Sequence, residues 1–238
     1  MKNNFFQFVL SFLILFSVII TECGQREQKP KTEKKEIHKT ETKSTKQPIV
    51  IDDFDKDPKS FSPQFPNFRF RSLGYSIFFE RATVELTRVV MSDDDQALRI
   101  KYNLPSLHEW GNWLSIRREF DSLMDLTGYS GFKLDIKVEI PSDAKLRITL
   151  ADAVVVEGAV RDELWWFDFE DNVLGSDTNQ WRTLTIPFEK FYQSYGDGTR
   201  FNDGKLDLSK ITAYEINIVS IKQAHPKGKV LVNSLVTF

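Results

Sequence analysis

The chain has 238 residues, 41% of them hydrophobic and 28% charged, with a formal net charge of −2. That is enough apolar material for one sizeable core, and the charge is too balanced for a nucleic-acid-binding surface, so no nucleic-acid partner is expected. The only cysteine, Cys23, excludes an intramolecular disulfide, and the fold must rest on its core alone.

The N-terminus opens with Lys2 and then runs apolar over 5–20, broken only by Gln7, Ser11 and Ser17. A basic start before such a run has the form of an export signal. Cys23 follows the run directly and resembles the lipidation site of a bacterial lipoprotein, although Glu22 stands where such signals usually carry a small residue. Three readings stay open: a signal over 1–22 removed before a lipidated Cys23, an uncleaved helix that stays as the anchor, or a freely secreted protein. The first two hold the protein at a membrane, since paired acyl chains and a spanning helix both anchor stably. The expected location is the outer membrane or cell surface of a bacterium.

Residues 24–47 contain one aliphatic side chain, Ile37, and no aromatic. Such a stretch buries too little apolar surface to offset the entropy of ordering it, so 23–47 is expected to be a tether with a coil span of about 27 Å. Its eight Lys and Arg against four Glu give it +4 and leave the domain after it at −6.

Residues 48–238 are expected to form one domain. Leu98, Ile100, Tyr102 and Leu104 alternate with polar residues, as do Phe132, Leu134, Ile136 and Val138, then Leu146, Ile148 and Leu150. Period-two alternation marks strands with one buried face. Further strands are expected at 82–91, 113–120, 163–169, 182–186, 214–221 and 230–238, with one or two helical turns over 188–195. The residues 61–70, rich in Phe and Pro, read as an extended flap. The fold class is all-β, a two-sheet β-sandwich.

Five blocks carry a resemblance: Ile51 to Asp55, Ala97 to Tyr102, Leu126 to Lys137, Trp181 to Phe188 with Phe191, and Leu206 to Ile211. Together they resemble the galactose-binding-like jelly rolls of family 11 carbohydrate-binding modules, and equally the related domain of complex I intermediate-associated proteins. The block around Trp181 and Pro187 is the most specific. The resemblance implies a non-catalytic binding domain whose partner is a glycan or, on the assembly-module alternative, an envelope protein.

Candidate residues follow. Trp110, Trp113, Trp165 and Asp168 lie in aromatic-rich segments, and in 163–169 alternation places Trp165 and Trp166 on opposite faces. One face must meet the core; the other offers a ring on which a sugar stacks, unless both pack beneath 55–76. The resemblance implies a ligand cleft on the outer face of one sheet, which makes Asp135, Arg147 and Asn217 candidates if their strands share that sheet. An ordinary solvated face with cross-strand ion pairs is the other reading. The resemblance also suggests a structural calcium between the first and last strands, from Asp52, Asp53 and Asn233. Otherwise no cofactor is expected. With His38, His108 and His225 the only histidines and no zinc, P-loop or dinucleotide spacing, no enzyme is expected either.

Overall fold

The computed structural model describes residues 46–55, 70–79, 82–93, 95–105, 112–175, 179–193, 204–220 and 225–238. Cys23, the export signal, most of the tether and Trp110 lie outside the described residues. So does the flap, apart from Phe70.

Among the described residues, thirteen strands form two antiparallel sheets. The first sheet runs β10(Arg182–Pro187), β7(Gly131–Ile140), β13(Lys227–Thr237), β5(Asp95–Asn103), β4(Thr83–Ser92), with β1(Val50–Asp52) also on β13. The second runs β11(Tyr192–Gln193), β9(Ala159–Asp168), β8(Lys145–Val156), β12(Ile211–Ser220), β6(Asn112–Met124), β3(Tyr75–Phe79), β2(Phe70–Ser72). Their inward side chains, among them Ile100, Leu134, Ile136 and Val232 against Ile116, Ile148, Leu150 and Ile216, make one core. The β-sandwich expected from the alternation is thus the fold observed.

Some boundaries differ. The β2–β3 hairpin was not anticipated, and it forms the edge of the second sheet. The helical expectation at 188–195 resolves into a single 3-10 turn, Phe188–Lys190, before the short β11. Phe188 is held edge-on against Phe132 at 4.8 Å. Of the two glycines in the turn before β7, only Gly128 has a left-handed backbone, φ +84°. Gly131 is needed for space, because a Cβ there would sit 2.3 Å from the Ile186 carbonyl oxygen.

Between the sheets lies a buried polar cluster. Asp52 Oδ2 accepts from Arg118 at 2.8 Å, from Tyr75 at 3.0 Å and from Tyr214, while Oδ1 accepts the Phe54 N–H at 2.9 Å. Burial, reinforced by the Asp52 charge, pushes both phenols up and keeps them protonated as donors. A carboxylate fully supplied with donors is tolerated inside an apolar core.

Candidate functional site

The outward side chains of the second sheet are set by the same alternation that builds the core. On β8, Leu146, Ile148 and Leu150 point in, so Arg147 and Thr149 point out. Strand register then lines up Tyr192, Trp166, Thr149, Glu215, Arg117 and Ser76 in one row across the sheet. The next row holds Asp168, Arg147, Asn217 and Ser115.

At the β9–β11 side these rows form a composite platform. The Arg147 guanidinium lies over the Trp166 ring, 3.9 Å from its centroid, and grips Asp168 with two bonds of 2.7 and 2.9 Å. Tyr192 meets Trp166 edge-on at 6.2 Å and donates its hydroxyl to Asp168. Burial raises the Asp168 carboxyl, but the bonds from Arg147 and Tyr192 and the Arg147 charge outweigh it, and the group sits below the ordinary carboxylate range. Burial and the bond to Asp168 push the Tyr192 phenol up to about 12. The result is an ionised, pre-oriented cluster with a half-exposed aromatic rim.

Toward the centre the face is polar yet enclosed. Asn217 donates to Thr149 Oγ1 at 2.8 Å, both buried. Arg117 is 3% exposed and bonds Glu215 at 2.8 Å and Asp162 at 2.6 Å, with Glu119 at 3.6 Å. Burial alone would lower this guanidinium; Glu215, Asp162 and Glu119 hold it up. At the start of β6, Trp113 turns its ring outward and is 39% exposed. It is three strands across and four residues along from Trp166, a separation of about 19 Å at a spacing of about 4.8 Å and a rise of about 3.3 Å.

Of the residues singled out from the sequence, Arg147, Asp168, Asn217 and Trp113 share this face. Trp165 does not. It points into the core, 6% exposed, with its indole N–H bonded to buried Asp152 at 3.1 Å, and Trp166 takes the outward place. The apolar partners Phe167 and Phe169 lie on Trp165's side of β9, and that imbalance was the available signal. Asp135 is also separate: it sits on the first sheet, bonded to Thr183 at 2.5 Å and Ser234 at 2.8 Å. The strands of Asp135 and of Arg147 do not share a sheet, so the single patch expected of them is two. Sequence reasoning passed over Tyr192, Asp162 and Arg117, whose proximity depends on pairings between distant strands.

The expected calcium ligands have other partners. Asp52 is committed to Arg118 and two phenols, and Asp53 Oδ1 accepts the Asp55 N–H at 3.2 Å. The Asn233 amide, with its NH2 turned toward Asp95, donates to that carboxylate and to the Gln96 carbonyl, both at 3.1 Å. Among the described residues no three His, Cys, Asp or Glu side chains gather within reach of one ion. With Asp52 held by an arginine, the set Asp52, Asp53, Asn233 lacks a carboxylate free to take a calcium ion.

No family model matches the chain, and no curated protein matches it. Solved structures do. The family 11 carbohydrate-binding module of the cellulosomal cellulase Lic26A-Cel5E of Clostridium thermocellum superimposes at a TM-score of 0.54 and 19% identity, over 81% of this chain and 94% of that one. A family 11 module from Clostridium thermocellum in complex with a β-1,3-1,4-mixed-linked tetrasaccharide gives 0.55 and 19%, over 80% and 95%. The chain thus has the β-sandwich fold of these carbohydrate-binding modules.

Proposed function

We propose that the domain binds a glycan chain along the outer face of its second sheet without cleaving it, on a protein held at a membrane by its N-terminus. The observation that carries this reading is the Trp166–Arg147–Asp168–Tyr192 platform, with exposed Trp113 about 19 Å away on the same face. Flat aromatic surfaces accept the apolar faces of sugar rings, and fixed guanidinium, carboxylate and amide groups take their hydroxyls. The separation of the rings favours an extended oligosaccharide over a single sugar.

Absence of cleavage is supported by the carboxylate of the platform. Glycoside hydrolysis needs one carboxyl kept protonated near neutral pH, whereas Asp168, bonded by Arg147 and Tyr192, sits below the ordinary carboxylate range. The membrane attachment rests on the run 5–20 and Cys23. A fatty-acid probe that labels the protein, and fails to label Cys23→Ala, marks the anchor as lipid; labelling of neither leaves the helix.

The test of binding is calorimetry of the full chain with the β-1,3-1,4-mixed-linked tetrasaccharide, followed by a panel of other glycans. Binding that falls about tenfold or more in Trp166→Ala is expected, equivalent to about 1.4 kcal/mol. No binding across the panel, together with a stable envelope protein that co-purifies, would overturn the glycan reading.

A further inference from the structure

The exposed apolar side chains of the domain are not scattered. β8 keeps its pairing with β12 only as far as Asp152, opposite Ile211. Beyond it the β8–β9 ribbon continues alone to the tight turn Glu157-Gly158, where both residues have positive φ, 49° and 79°. Such a two-residue turn makes a stiff tip. On this ribbon the cross-strand pair Val155 and Val160 is 71% and 66% exposed, about 10 Å beyond the last bond to β12. Val90 and Met91 stand at the tip of the β4–β5 ribbon, Val90 70% exposed, past the last pairing of β5 with β13. Leu123 is the next-to-last residue of β6, and Val50 begins β1.

Strand directions put all of these at one end of the sandwich. β4, β6, β8 and β13 run toward that end, and β5, β7, β9 and β12 run away from it. The same end receives the chain from its N-terminal segment: the Ile49 N–H bonds Thr237 Oγ1 at 2.9 Å, and Val50 pairs with Val236. The β4–β5 tip belongs to one lateral edge of the molecule and the β8–β9 tip lies toward the other, so the apolar points span the breadth of this end. Apolar points spread across a breadth, with Arg161, Glu157 and Asp93 between them, suit a flat, deformable partner better than a compact one.

We propose that this end docks on a lipid bilayer, with Val155, Val160, Val90 and Met91 entering the headgroup boundary. The inference rests on the membrane attachment proposed above, since it is the apolar run at 5–20, joined to the domain at this end, that brings a bilayer to it. The β4–β5 tip carries Asp93 and Asp95, and the β8–β9 tip Glu157 and Arg161, so charge does not draw this end to an anionic surface; the contact is apolar in origin and persists at high salt. Docking sets the strands across the membrane plane and leaves Trp113, at the far end of β6, as the part of the glycan face most distant from the lipid.

The test places the fluorescent amino acid dansylalanine at position 155, 90 or 140 of the full chain. The protein is reconstituted into phosphatidylethanolamine–phosphatidylglycerol vesicles that carry a nitroxide headgroup lipid. Ile140 is exposed at the opposite end and serves as the control. Probes at 155 and 90 are expected to shift to the blue and lose most of their emission in vesicles, at low and high salt alike, while the probe at 140 keeps its emission. Vesicle flotation is read in parallel. A chain that floats while all three probes stay equally bright overturns the docking and leaves the attachment intact; a chain that does not float overturns both. Blue shifts at 155 and 90 that grow with protein concentration in vesicle-free solution assign this end to a second copy of the chain and likewise overturn the proposal.

Discussion

The two outer faces of the sandwich use the same vocabulary to different ends. On the first sheet, Lys101 and Glu85 pair at 3.0 Å in full exposure, and Arg99 bonds Glu139 at 2.9 and 3.0 Å with Lys229 at 3.7 Å. The first pair joins neighbouring strands β4 and β5, and the second reaches across β13 from β5 to β7; exposed pairs of this kind are each worth little. On the second sheet the outward arginines are enclosed: Arg117 is buried among three carboxylates, and Arg147 is stacked on an indole and gripped by Asp168. Desolvation strengthens electrostatic contacts and makes every unpaired group costly, so the pairs around Arg117, 3% exposed, are harder to break than the exposed Lys101–Glu85 pair.

That contrast is open to direct attack. The largest effect is expected from Arg117→Met, which strands Glu215, Asp162 and Glu119 in an enclosed site and should cost about 3–5 kcal/mol in urea unfolding. A loss under about 1 kcal/mol would mean the face is wetter than its burial implies. Trp166→Ala should follow, with its effect concentrated in glycan affinity and little change in the unfolding midpoint of the ligand-free protein, since Trp165 and not Trp166 fills the core. Equal loss of stability and affinity would make the ring structural.

A smaller effect is expected from pH. The folded Asp168 carboxyl lies below the unfolded value of about 3.9. Its contribution is therefore complete above that value and drains away as pH falls through the folded pKa. Urea midpoints of the wild type should drop more steeply below about pH 4 than those of Asp168→Asn, and parallel curves would remove Asp168 from the account. The smallest effect is expected from Lys101→Ala on the first face, within about 1 kcal/mol of wild type and without change in glycan affinity.

Much of this architecture was visible before any coordinate. The alternations at 98–104, 132–138 and 146–150 appear as β5, β7 and β8 with the expected residues inward. The site was only half legible. Alternation shows that Arg147 and Asp168 point away from the core, but their strands meet through a hairpin whose turn, Glu157-Gly158, has to be found first. Asp135 and Arg147 carry the same local signature, a charged residue between two aliphatics, and local pattern holds no information on which sheet a strand joins. Asp52 was misjudged for a related reason: a carboxylate on a first strand looks like a metal ligand until Arg118, Tyr75 and Tyr214, three other strands' residues, are seen closing on it.

The pairing of β1 with β13 has a consequence for how the protein is made. β13 lies between β7 and β5 at the heart of the first sheet, and it follows every other described strand in the sequence. Until it arrives, that sheet is split into two halves with open edges, and Asp52 lacks the strand beside which β1 is seated. Pairings of such long sequence separation form slowly, and the half-built sheet exposes edges that invite aggregation. The first sheet therefore cannot close before β13 is in place. Loss of β13, Lys227–Thr237, would remove the keystone of a sheet rather than trim its rim.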